Sequence, residues 1–263
     1  MRAQLEIAEL LGPLRADPDN AAILLDIDGT LAPIVRHASD AHVPEPTRRL
    51  LIALSKRYGF VACVSGRRAA VARQMVSIGS IAYIGNHGSE LLRPASHETI
   101  VSDEVAAWTD RVQAFAATVD TPALQRLRVR REDKGAIVAF HWRGAPDEDA
   151  ALAAVAAIER AAIDAGLEPH HGRKVLEIRP PVPIDKGRGV RWVLAEESPD
   201  AALYVGDDLT DIDAFAGVRS VVGEAAVCIG VRSEETPAEL QAAADAMVEG
   251  TRGVAELLEA LLA

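Results

Sequence analysis

Apolar runs of four to six residues, each followed by an amphipathic stretch of helical period, set the rhythm of the chain from its start to about residue 92. The runs at 21–26, 60–64 and 81–84 are almost unbroken by polar residues, the pattern of strands buried on both faces. Between them, 47–57 reads as a helix opened by Pro44 and Pro46 and closed by Gly59, and 68–76 reads as another. Strands separated by helices are joined by crossovers, so this stretch predicts a mostly parallel sheet covered on both faces.

From about 103 to 183 the pattern changes. A helix around 104–119 precedes strands near 127–131 and 136–142, and a helix over 147–165 precedes strands near 167–170 and 174–179. Helix, two strands, helix, two strands predicts an antiparallel layer with its helices on one side. The first rhythm then returns, with a helix at 186–197, a strand at 201–205, a helical stretch at 211–215 and a strand at 226–230. The last helix carries Val254, Leu257, Leu258 and Leu261 at helical spacing behind a cap expected at Thr251. The expected division is a core of 1–103 and 184–263 interrupted by an insert of 104–183. An insert tied to the sheet at both ends can serve as a lid over the sheet's carboxyl edge.

At 263 residues, 49% hydrophobic and 25% charged, the chain has the composition of an ordinary globular protein with a sizeable core. Lys and Arg number 28 against 39 Asp and Glu, a formal net charge of −11, which disfavours nucleic acid and anionic membrane as partners. A small anionic substrate would need local cations to offset that field. Cys63 and Cys228 both sit in apolar runs and read as buried thiols rather than a disulfide framework. No apolar stretch approaches membrane-spanning length and the N-terminus lacks a signal-peptide profile, so the expected location is cytoplasmic.

Two acidic clusters change the picture. Asp26-Ile27-Asp28-Gly29-Thr30-Leu31 ends the first apolar run, and Gly206-Asp207-Asp208-Leu209-Thr210-Asp211 ends the run at 201–205. Asp is depleted from strands and costly to bury unpaired. A lone Asp-Gly is ordinarily a turn, but two strand ends with such clusters ask for a cation if the strands are neighbours. Unit charges a few ångströms apart repel by about 4 kcal/mol at an effective dielectric constant near 20. Oxygen-only ligation by few carboxylates suits Mg²⁺, which bridges readily to substrate phosphate. There is no His or Cys cluster at zinc spacing and no calcium loop. Ser65-Gly66-Arg67 lies between a strand and a helix, where hydroxyl and helix-start amides can hold phosphate oxygens, or where Ser65 is a plain N-cap. Lys186, in Asp185-Lys186-Gly187, opens a helix against the macrodipole, as a solvated side chain or as a phosphate ligand.

These four segments, in this order, resemble the haloacid dehalogenase superfamily of phosphotransferases across essentially the whole chain. The resemblance implies a Rossmann-like α/β core with a central, mostly parallel sheet and an inserted α+β cap of the C2 type. It implies Asp26 as nucleophile, forming an aspartyl-phosphate, and Asp28 as the acid and base that protonates the leaving alcohol and then activates water. Ser65, Gly66, Arg67 and Lys186 are implied around the phosphate. Mg²⁺ is implied on Asp26, Asp207 and the backbone carbonyl of Asp28, with Asp208 and Asp211 supporting them.

The insert narrows the resemblance further. Arg131-Glu132-Asp133-Lys134-Gly135, Phe140-His141-Trp142-Arg143, Lys174-Val175-Leu176-Glu177-Ile178-Arg179-Pro180 and Gly85-Asn86-His87-Gly88 are similar to the trehalose-6-phosphate phosphatase family. That likeness implies a sugar-phosphate substrate met by Glu132, Lys134 and Glu177, with His87 either in the site or bonded to backbone. Arg128, Arg130 and Arg143 read instead as solvated positions. One departure stands out: Ile212 occupies the place where the family usually has Glu. Sucrose phosphate, a mannosyl-phosphoglycerate, or sugar-phosphate binding without catalysis stay open as alternatives.

Overall fold

The computed structural model describes residues 7–35, 41–234 and 236–263. The chain divides into two units, Met1–Ile100 with Ile184–Ala263, and Val101–Pro183. In chain order the strands are β1 (Ala21–Asp26), β2 (Phe60–Val64), β3 (Ala82–Gly85), β4 (Glu90–Leu92), β5 (Thr99–Val101), β6 (Arg130–Asp133), β7 (Val138–His141), β8 (Glu168–Gly172), β9 (Val175–Arg179), β10 (Ala201–Gly206), β11 (Ala226–Arg232) and β12 (Ala246–Glu249).

One eight-stranded sheet runs β12-β11-β10-β1-β2-β3-β4-β5, parallel from β12 to β3 and antiparallel between β3 and β4. All six residues of β1 are buried, which is why its sequence shows no alternation. Its side chains feed two cores in turn. Ile23 and Leu25 pack with Leu51, Leu54, Leu257 and Leu258 on one face, while Ala22 and Leu24 pack with Val190, Val193, Phe215 and Val218 on the other. Cys63 and Cys228 are buried and unbridged. Burial pushes the Cys228 thiol up to about 12 and raises Cys63 as well, so both pack as neutral, small apolar groups. Among the described residues no helix is long and apolar enough to cross a membrane.

The insert forms a four-stranded antiparallel sheet, β6-β7-β9-β8. Val138, Phe140, Leu176 and Ile178 point to one face and pack on Val112, Ala116, Val155 and Ile158 of two helices. Glu132 and Glu177 stand opposite Ala139 in register, so they share the other face.

Several expected boundaries move. The helix at 104–119 is two, Asp103–Ala106 and Thr109–Val119, broken where Trp108 lays its ring under the Arg111 guanidinium at 4.8 Å. The strand expected at 127–131 starts only at Arg130. A short helix, Pro122–Arg126, precedes it, and Arg128 takes a left-handed φ of 55° to turn the chain. Thr251 is not the cap of the last helix, which spans Gly250–Leu262 behind Glu249; Gly250, at φ 55°, turns the chain out of β12 one residue sooner. Strands β4, β5 and β12 are three or four residues long, too short to show a period.

Candidate active site

β1 and β10 are adjacent and parallel, with Leu25 opposite Val205, so the two acidic clusters leave the sheet side by side at its carboxyl edge. Oxygens of Asp26, Asp207 and Asp211 lie within 4.8 Å of one another. Lys186 enters from the first turn of the helix Lys186–Glu197, whose N-cap Asp185 accepts from the Arg188 amide at 2.7 Å. Its ammonium donates to Asp26 Oδ1 and Asp211 Oδ1, each at 2.7 Å, and lies 3.8 Å from Asp208 Oδ1. Asp26 is 4% and Lys186 3% exposed, so these charges meet in a poorly solvated space.

Two glycines make room for that approach. A Cβ on Gly29, which sits at φ 96°, would fall 2.1 Å from Asp207 Oδ2. One on Gly206 would fall 2.2 Å from the Asp211 carboxyl carbon. Asp207 is further tied by Thr30 Oγ1, which donates to its Oδ1 at 3.1 Å.

Asp208 and Asp211, alike in sequence, do different work. Asp208 is exposed and caps the helix Leu209–Val222, its side chain accepting from the Thr210 amide at 2.8 Å. Asp211 is fully buried, and four donors converge on it: Lys186 Nζ, Tyr204 Oη at 2.8 Å, and the amides of Asp207 at 2.8 Å and Asp208 at 3.0 Å. Burial raises its pKa, with Lys186 pulling it down and Asp208 pushing it up, and four donors on one carboxyl favour its ionised form.

Burial also pushes Asp26 well above the usual carboxylate range, with Lys186 pulling it down and Asp211 and Asp207 pushing it up. Asp207 is raised to about 7, by burial first and then by Asp211 and Asp208. Burial opposes the charge on Lys186, but Asp211, Asp26 and Asp208 outweigh it and hold the ammonium well above its usual range. Three carboxylates against one ammonium leave a deficit that a divalent cation fits, and an all-oxygen donor set suits a hard one. A pH dependence follows without metal. The folded chain binds extra protons between the unfolded carboxylate value near 3.8 and about 7, so stability is greatest at the acid end and falls as pH rises through that window. Thermal melts in chelator from about pH 5 to 8 check it; a melting temperature that climbs across this range would rule it out.

Asp28 is placed by a fork: Arg67 Nε donates to Oδ2 and Nη2 to Oδ1, both at 2.7 Å. Arg67, expected beside phosphate, is thus engaged with the second carboxylate of the first motif. The reading of Ser65 as a helix cap is corrected. The helix Ala69–Val76 is capped at Arg68, and Ser65 Oγ instead accepts from the Arg67 amide at 3.1 Å. One helix-start amide expected for phosphate, that of Ala69, donates to Glu90 Oε2 at 2.8 Å. His87, at φ 58°, lays its ring on Gly66, where a Cβ would meet Cε1 at 2.6 Å. Its amide donates to the Ser65 carbonyl at 3.1 Å. Ile212 packs, partly buried, on the core that contains Val190 and Phe215, so at this position an apolar contact replaces the family's carboxylate.

Within the insert, Glu132 accepts from His141 Nε2 at 2.7 Å, and that bond chiefly holds its carboxyl below the usual range. Glu177 is clamped between Lys134 Nζ at 2.7 Å and the Arg179 guanidinium at 2.7 Å. Sequence reasoning overlooked Thr30, Tyr204 and Glu90. Only Thr30 left a signal, as the hydroxyl beside Gly29 in the first motif.

The trehalose-phosphatase family profile matches residues 24–246. A Mycobacterium marinum protein named trehalose-phosphate phosphatase is 36% identical over 223 residues, covering 81% of this chain and 54% of its own length. A Mycobacterium tuberculosis protein named uncharacterized glycosyl hydrolase Rv2006 is 37% identical over 213 residues, covering 75% of this chain and 15% of its own. The chain therefore spans well under two thirds of these relatives. Among solved structures, the C-terminal domain of Candida albicans trehalose-6-phosphate phosphatase matches with a TM-score of 0.71 at 23% identity, over 97% of this chain and 96% of that one.

Proposed function

The chain belongs to the trehalose-phosphatase family of the haloacid dehalogenase superfamily, and from that membership we propose that it hydrolyses trehalose 6-phosphate to trehalose and phosphate. The observation that carries the reading is the meeting of Asp26, Asp207 and Lys186 at one sheet edge, with Asp28 two residues beyond the first of them. A buried carboxylate is a poor nucleophile if protonated, and Lys186 on its Oδ1 favours the ionised form.

In this reading Asp26 attacks phosphorus, the ester oxygen departs, and Asp28 supplies its proton. Water, deprotonated by Asp28, then opens the aspartyl-phosphate and restores Asp26. Lys186 and Ser65 hold phosphoryl oxygens, and Arg67 fixes the plane of Asp28. Asp26, Asp207 and the carbonyl of Asp28 would hold Mg²⁺, which when bound supplies charge neutralisation for the transferring phosphoryl group. Asp211 and Asp208 hold the loop that carries Asp207.

The sugar is read by the insert. Glu132 and Glu177 flank the small Ala139 on one face of the insert's sheet, with Lys134 beside them, and we assign these three to sugar hydroxyls; in the core, His87 beside Gly66 is assigned to the substrate as well. Hydroxyl recognition discriminates strongly, because a missing hydroxyl strands a buried partner. The test is phosphate release from a panel of trehalose 6-phosphate, sucrose 6-phosphate, mannosyl-3-phosphoglycerate and glucose 6-phosphate. A preference for trehalose 6-phosphate is expected; a higher kcat/KM on another ester would overturn the substrate. EDTA should silence the enzyme and Mg²⁺ restore it, and activity undiminished in chelator would remove the metal from the reaction.

A further inference from the structure

The insert holds a second concentration of charge, of the opposite sign. Where the helix Pro122–Arg126 runs into β6, a cavity of about 660 Å³ is lined by Arg128, Arg130, Arg131 and Arg143, with Asp120 and Gln125. Four guanidinium groups face a single carboxylate, in a chain whose formal net charge is −11.

Strand pairing explains how they gather. Arg130 lies opposite His141 and shares the sheet face of Glu132, while Arg131 lies opposite Phe140 and reaches towards the helices, where its Nη2 donates to Gln113 Oε1 at 2.7 Å. β6 is the edge of its sheet, so cations from both faces meet around a border that no strand covers. Arg128 is brought to the same corner by its left-handed backbone, φ 55°.

Two of these cations carry charge that no described residue offsets locally. Among the described residues, Arg128 and Arg130 make no ion pair and no side-chain hydrogen bond. Arg131 Nη1 lies a long 3.7 Å from Asp120 Oδ2, and its Nε is buried without an acceptor. A buried donor left unpaired is costly and normally finds a partner.

We propose that this cavity, formed wholly by residues of the insert, binds a small phosphate-bearing anion. Carboxylate is satisfied by one guanidinium fork, whereas a phosphate dianion has three or more oxygens to offer several forks at once. The volume lies in the range of small-molecule sites. Free phosphate and a phosphate ester share the chemistry that recognises them.

The experiment uses the full chain with Mg²⁺. Orthophosphate should slow phenylglyoxal labelling of Arg128 and Arg130, read residue by residue by mass spectrometry. In calorimetric titration the Arg128→Gln/Arg130→Gln variant should lose one phosphate-binding event, weakened about tenfold or more, while its melting temperature and kcat/KM stay unchanged. Glucose 6-phosphate in a parallel arm tells the sources apart: stronger protection by the ester assigns an ester, and equal protection assigns phosphate itself. Three results would overturn the proposal. These are labelling that neither anion slows, a binding profile identical in the variant, or a raised KM in the variant, which would make these arginines part of the reacting substrate's own site.

Discussion

Turnover of trehalose 6-phosphate by an Asp26→Asn protein is expected to fall by about four orders of magnitude or more, because the substitution removes the attacking oxygen pair while keeping the shape of the side chain. The fold should survive. Asn retains a carbonyl oxygen for the Lys186 bond now made at 2.7 Å, and it relieves part of the repulsion from Asp207 and Asp211. Stability in chelator should therefore be equal to or above that of the parent. Two measurements suffice: single-turnover phosphate release, and trapping of a labelled aspartyl-phosphate, which the variant should not form. A variant with unchanged far-ultraviolet circular dichroism and near-parent turnover would falsify the role assigned to Asp26.

Lys186→Met is expected to act on stability as much as on chemistry. Lys186 stands between Asp26 and Asp211, both buried, and an apolar side chain of similar length leaves those carboxylates facing one another without a cation. Breaking a buried pair on one side costs about 3–5 kcal/mol. The cost should be largest above neutral pH, where the cluster must be ionised, and smaller near pH 5, since the raised pKa values of Asp26 and Asp207 let protons replace the missing charge. Mg²⁺ should recover part of the lost stability but not the activity. Urea unfolding at both pH values, with and without Mg²⁺, tests this. A loss under about 1 kcal/mol under all four conditions would show that the cluster does not depend on its lysine.

Much of this site was legible before any coordinates, for a physical reason. A carboxylate at the end of a fully apolar run has no cheap structural explanation, so Asp26 and Asp207 announce themselves, and the crossover rhythm around them implies the parallel sheet. Elements of three or four residues, such as β4 and β12, escape because one or two turns of pattern carry no period. The break at Trp108 escapes because its apolar and polar positions keep helical spacing across it, while the contact made there, a ring under the Arg111 guanidinium, is invisible to helix propensity. Sequence likewise could not separate Asp208 from Asp211. Both follow the strand at the start of the same helix, Asp208 as its cap and Asp211 in its first turn, but only Asp211 points into the protein, where Tyr204 and two backbone amides receive it.

By itself, then, the order of residues determined the inventory: which strands are buried, which ends carry acid, where a lysine opens a helix, and that the middle of the chain is a layer of another kind. Tertiary structure alone decided who meets whom. Lys186 and Asp26 are 160 residues apart, Thr30 and Asp207 are 177, and Arg67 grips Asp28 across 39. Contacts at such separations depend on which strands become neighbours and on how closely a glycine lets two loops approach. Those are properties of packing, summed over the whole sheet, and no local pattern encodes them.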